Sequence, residues 1–143
     1  MSDISGVQKA SQAFYAALNR MANGNAEAMK DVWSQSASAT AQHPIGGLDL
    51  GTGTILESFG KVASIAESGN VELVDQRLDV GTDMAVETGI ERGTLTLASH
   101  TAAIDQRVTN IYRLEAGVWK IRHHHTDLAP TMLNILARLG APD

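Results

Sequence analysis

At Val71 the hydrophobic period of this chain changes, and nothing else in the sequence limits the fold as strongly. Before Val71 apolar residues recur at helical spacing. After it four segments follow, "VELVDQRLDVG", "MAVETGIERGTLTLA", "AAIDQRVTNIYRLE" and "VWKIRHHHTD", all rich in β-branched and apolar residues. Such segments read as strands, and "GTD" and "EAG" between them read as tight turns. A block of helices followed by a block of strands predicts an α+β fold, with the helices covering one face of a curved antiparallel sheet.

The helical half divides further. Val7, Ala10, Phe14, Ala17, Leu18 and Met21 form one apolar stripe. Ser5 with Gln8 has the pattern of a capping box at its start. "NGN" ends this helix, and Asn25 can cap a short second one, "AEAMKDVW". "ASATAQHPIGG" reads as a short strand running into a turn, and "DLGTG" as loop. Thr54 with Glu57 opens a third helix carrying Ile55, Phe59, Val62 and Ile65, which "ESGN" closes. After the strands, Pro130 suits a first helical turn, and Met132, Ile135, Leu136 and Leu139 share a face.

At 143 residues the chain predicts one domain, 1–143, with a single core. The net charge is −5 and the basic residues are scattered, which argues against nucleic acid or an anionic membrane as a partner. No apolar run approaches the ~20 residues of a membrane span. The opening residues lack the pattern of a secretory signal, so the expected location is cytoplasmic. Without cysteine there is no disulfide, thiolate metal site or cysteine nucleophile. "GGLDLGTG" is glycine-rich but lacks the lysine and the strand–helix setting of a phosphate loop.

Three consecutive histidines, His123, His124 and His125, stand in the last strand segment. Alternation along a strand groups Trp119, Ile121, His123 and His125 on one face and Lys120, Arg122 and His124 on the other. The apolar start of the first set marks it as the inner face, so His123 and His125 are expected inside and His124 outside. A β-bulge between Ile121 and His123 would invert this assignment. Histidine suits acid–base work because its ordinary pKa, about 6.5, lies near neutrality; packing and metal binding are the other readings of the run. For a metal the His-x-His pair lacks a third ligand downstream, and no metal site is expected. On the second strand segment, Glu87 and Glu91 oppose the more apolar Met84, Val86, Thr88 and Ile90. The two carboxylates are either solvated, or Glu91 points inward and meets Arg107 or a histidine. Asp127 either orients an imidazole or, as Asp before Pro at a helix start favours, caps the last helix.

Several of these segments resemble one family. "NGNAEAMKDVWSQSASATAQHPIGGLDLGTGTILESFGKVAS" resembles the opening half of SnoaL-like proteins of the nuclear transport factor 2-like superfamily. "MAVETGIERG" and "RVTNIYRLEAGVWKIRHHHTD" resemble its last strands. The ending "HHHTDLAP" also resembles the association domain of calcium/calmodulin-dependent protein kinase II. The resemblance implies a cone-shaped α+β barrel, in which a curved antiparallel sheet wraps the N-terminal helices around a ligand pocket. It implies a homodimer through the outer sheet face. Gly89 and Gly93 inside strand segments fit a bent sheet.

The superfamily includes isomerases, cyclases, dehydratases and assembly domains, so fold alone does not give the reaction. Two readings stand. The first is a cavity for a small apolar, carbonyl-bearing or cyclic molecule, either a binding site or a cofactor-free site of proton transfer. There His123, His125 and Glu91 would be catalytic, with Tyr15, Trp33, His43, Arg107 and Trp119 around the ligand. The second is a non-catalytic assembly module.

Overall fold

The structure is a computed structural model and describes residues 3–140. Helix α1 (Ile4–Ala22) comes first, followed by one helical turn, α2 (Met29–Val32). Strands β1 (Thr40–His43) and β2 (Gly46–Leu50) precede α3 (Thr52–Ile65). Four strands come next, β3 (Ala66–Val80), β4 (Met84–Leu97), β5 (His100–Glu115) and β6 (Val118–Thr126), and α4 (Pro130–Gly140) ends the described chain. The α+β class and the helix-then-sheet order are as the change of period predicts. The sheet order is β2-β1-β6-β5-β4-β3. The sheet is mixed rather than wholly antiparallel, because β1 lies parallel to β6, and it does not close.

Helix α1 presents Val7, Phe14, Ala17, Leu18 and Met21 to the sheet, all buried, as its apolar spacing requires. Its cap is not the expected Ser5. The Asp3 carboxylate accepts from the Gly6 N–H at 3.0 Å and from Trp119 Nε1 at 2.9 Å. One side chain thus caps the helix and ties it to β6.

Two segments, one read as loop and one as the close of the third helix, lie partly or wholly in strands. "DLGTG" begins inside β2, and "ESGN" lies in β3, where Ser68, Gly69 and Asn70 pair with Thr96, Leu95 and Thr94. Turn-forming residues join the ladder here because α1 clamps them. Asn19 donates to the Val71 carbonyl at 3.0 Å and accepts from its N–H at 2.7 Å, and Asn23 donates to the Gly69 carbonyl at 3.0 Å. Across the ladder, Gly93 has φ of 155°, and a Cβ there would stand 1.7 Å from the Asn70 carbonyl oxygen. Gly93→Ala should therefore cost about 2 kcal/mol or more, read as a lowered urea midpoint with an unchanged m-value.

The feature that matters most for the site is in β6. Ile121 pairs with Tyr112, yet His123 pairs with the adjacent Ile111. Arg122 is the extra residue of a β-bulge, and it reverses the facing of every residue beyond it. Trp119 and Ile121 are buried; past the bulge the buried residues are His124 and Thr126. Arg122 itself turns to Glu115 Oε2 at 2.8 Å and Ser34 Oγ at 3.1 Å.

Candidate functional site

The bulge corrects the expected placement of the histidines. His124 is 2% exposed and faces the space between sheet and helices. His123 and His125 lie on the outer face, half-buried and exposed, with ring centroids 6.0 Å apart. His123 Nδ1 is 2.7 Å from Thr40 Oγ1. Neither reaches Tyr15, His43 or Glu91.

Strand β4 also faces opposite to the apolar reading. Its inner face is the one bearing Glu87 and Glu91, 0% and 2% exposed, while Val86 and Ile90 are half-buried on the outside. The carboxylates face inward because polar partners await them there. Glu87 accepts from Ser11 Oγ (2.6 Å) and Gln76 Nε2 (2.6 Å) on one oxygen, and from Tyr112 Oη (2.7 Å) and Asn110 Nδ2 (2.9 Å) on the other. These four donors fill the four lone-pair sites of a carboxylate. Glu91 accepts from Tyr15 Oη and Gln106 Nε2, both at 2.8 Å. Burial holds its carboxyl above the usual range, and the Gln106 and Tyr15 hydrogen bonds oppose that shift in part. Burial, with the Glu91 charge beside it, likewise pushes the Tyr15 phenol up, so it remains a neutral donor.

Asn110 joins the two carboxylates to the histidine. Its Nδ2 donates to Glu87 and, at 3.0 Å, to Tyr15 Oη. Both N–H bonds are then committed, and Oδ1 is left to face His124 Nδ1 at 2.6 Å. That contact requires the proton on Nδ1. Burial, reinforced by the charges of His43, His123 and His125, pulls His124 down to about 3. A neutral ring protonated at Nδ1 carries its lone pair on Nε2. Phe14 packs on the ring at 5.1 Å between centroids.

The cavity beside this network has a volume of about 60 Å³. Leu18, Met21, Phe59, Val62, Leu95, Ile104 and Met132 supply its apolar wall; His124, Glu91, Gln106 and His43 supply polar groups. His43 stacks edge-on against Phe59 at 5.1 Å, and its Nε2 lies 2.8 Å from Asp49 Oδ2. A cavity of ~150 Å³ holds benzene, so this one takes a smaller molecule unless Met21 and Met132, both adaptable side chains, give way.

The remaining expected residues lie elsewhere. Trp33 is fully buried against Phe14 and Phe59 but does not line the cavity. Trp119 sits beside Asp3. Arg107 is on the outer face, paired with Asp127 at 2.9 Å. Asp127 therefore binds an arginine rather than capping α4; that pairing pulls its carboxyl down to about 2. Ser11, Gln76, Gln106, Asn110 and Tyr112 were not singled out from the sequence. Gln106 and Asn110 did carry a signal, since both alternate with Ile104, Val108 and Tyr112 on the buried face of β5.

The SnoaL-like domain family matches residues 7–129. The chain belongs to the SnoaL-like family. Solved structures share the fold of this SnoaL-like domain. A proposed dehydratase of the nuclear transport factor 2-like family from Streptomyces avermitilis is 24% identical, with a TM-score of 0.78 over 88% of this chain and 95% of that one. A Caulobacter vibrioides protein with a cystatin-like fold is 17% identical, with a TM-score of 0.71 over 96% and 98%. The association domain of the C. elegans calcium/calmodulin-dependent protein kinase II is 13% identical, with a TM-score of 0.66 over 87% and 97%. No curated protein matches this SnoaL-like domain in sequence. Among the described residues, no helix is long and apolar enough to cross a membrane.

Proposed function

We propose that the cavity binds a small, largely apolar carbonyl compound and moves a proton on it. His124 Nε2 accepts the proton from the carbon beside the carbonyl. Glu91 carries the acidic proton that meets the carbonyl oxygen as charge develops there. The observation that supports this most directly is the pairing of a buried neutral imidazole with a buried carboxyl of raised pKa on one cavity. Environments that push a base down and an acid up separate the two roles. The Glu87–Asn110–His124 chain orients the ring and fixes its tautomer. The scheme uses proton donors and acceptors of the chain alone, and no cofactor enters it.

The test is exchange of the α-hydrogens of 3-methylbutan-2-one in D2O, followed by NMR. The expected rate exceeds the protein-free rate by about 10²-fold, the lower end of general acid–base catalysis. His124→Asn and Glu91→Gln should each return it to the protein-free rate. An unaccelerated rate with unmoved Met21 and Met132 methyl signals would remove the reading.

The outer sheet face supports a second, compatible reading. Val86, Ile90 and Ile111 form a half-buried apolar strip beside His123, and kinase association domains share the fold. We propose a homodimer through this face, burying on the order of 1,200–2,000 Å² in total. Small-angle scattering at micromolar concentration should give twice the 15.2 kDa chain mass, and Ile111→Glu should halve it; a monomeric wild type excludes the dimer.

A further inference from the structure

The polar end of the cavity has acceptors to spare. Tyr15 Oη spends its hydrogen on Glu91, Asn110 spends both of its amide hydrogens, and His124 spends Nδ1–H on Asn110. Two acceptors of this network are left without a donor among the described residues. One is His124 Nε2, which the proton transfer uses. The other is Gln106 Oε1, which is buried, belongs to a cavity-lining residue and has no hydrogen-bond partner. Its amide cannot be turned to relieve this. With the Glu91 proton on Oε2, Oε1 is an acceptor to which Gln106 Nε2 donates, and reversal would set one acceptor against another and remove that bond.

A buried amide oxygen without a donor is costly, and a ligand that supplies the donor recovers that cost. A site built around such a group rejects an analogue lacking the hydrogen far more strongly than one differing by a methylene. We infer that the substrate is a small hydroxyketone rather than a simple ketone, and that Gln106 Oε1 selects it by accepting its hydroxyl hydrogen. This rests on the carbonyl-binding reading of the same cavity and adds a second functional group to the molecule. The two sites divide the work. Glu91 and His124 act at the carbonyl and its neighbouring carbon, and Gln106 reads the hydroxyl. Gln106 is a specificity-determining residue in this arrangement. The volume of about 60 Å³ favours a short skeleton, and a four-carbon one enters as Met21 and Met132 give way.

Acetoin and 3-methylbutan-2-one test this directly, because they have the same shape with a hydroxyl in place of a methyl group. Each is titrated into the wild-type protein and into Gln106→Leu, and the methyl signals of Met21 and Met132 are followed by NMR. Wild type should bind acetoin at least tenfold more tightly. Gln106→Leu should lose that preference while still binding 3-methylbutan-2-one, which shows that the cavity survives the substitution. Should Gln106→Leu fail to fold, Gln106→Met serves in its place with the same expected result. Equal affinity of the wild type for the two compounds overturns the hydroxyl inference and leaves the carbonyl reading standing. No binding of either compound sinks both. A crystal structure with acetoin bound and an ordered water still on Gln106 Oε1 also overturns the inference, since the donor is then water.

Discussion

Glu87→Ala should abolish cooperative folding or lower the stability by about 5 kcal/mol. The carboxylate is the common acceptor of Ser11, Gln76, Asn110 and Tyr112, and its removal strands the three buried donors, Ser11, Asn110 and Tyr112, while the exposed Gln76 turns to water. Each buried donor left unsatisfied costs about 1–3 kcal/mol, against a total stability of roughly 5–15 kcal/mol for a domain. Glu87→Gln keeps the shape but presents an amide N–H₂ to groups that also donate, and should cost about half as much. Urea titration followed by circular dichroism distinguishes the cases. A loss below about 1 kcal/mol for Glu87→Ala would show that the network is not structural.

The second large effect concerns pH. His124 titrates near 6.5 in the unfolded chain and at about 3 when folded. Below 6.5 the unfolded state takes up a proton that the folded state refuses, so stability falls as the pH falls, until about pH 3 is reached. One such proton gives a slope approaching 1.4 kcal/mol per pH unit. Between pH 6 and pH 4 the wild type should lose about 2–3 kcal/mol more than His124→Asn, which keeps a donor towards Asn110 and has no titrating ring. Glu91 works in the opposite direction. Its folded pKa is raised, so its burial costs stability as the pH climbs through that value. That contribution is common to both proteins, and the difference between them isolates His124. Parallel pH profiles would mean that the ring is solvated in the folded state.

The long elements were readable because each has a single period. The apolar stripe of α1, the strands from β3 to β6 and the proline opening α4 follow from spacing alone. The facing of the strands was less readable. On β4, Val86 and Ile90 resemble a core face, but they cover the outside, whereas Glu87 and Glu91 are inside. Hydrophobicity fails as a guide there because the polar partners of those carboxylates come from α1, β3 and β5, far away in sequence. On β6 the alternation holds through Ile121 and is reversed by one extra residue. Nothing in "KIRHHH" marks Arg122 as that residue. Its reason lies in the Glu115 and Ser34 side chains that hold it.

That extra residue has a consequence for comparing relatives. A chain with all three histidines and a residue at the place of Arg122 that pairs regularly, without the bulge, would put the flanking pair inside and the middle one outside. Its cavity would gain two imidazoles, with no amide oxygen at hand to fix their tautomers, and its outer face would lose them. Columns aligned on the histidine run would score the two chains as identical across the pocket although their chemistry is exchanged. The partners that hold residue 122 out of the ladder, here Ser34 and Glu115, rather than any change among the histidines, are therefore what separates members of the family that share this cavity from those that only share its letters.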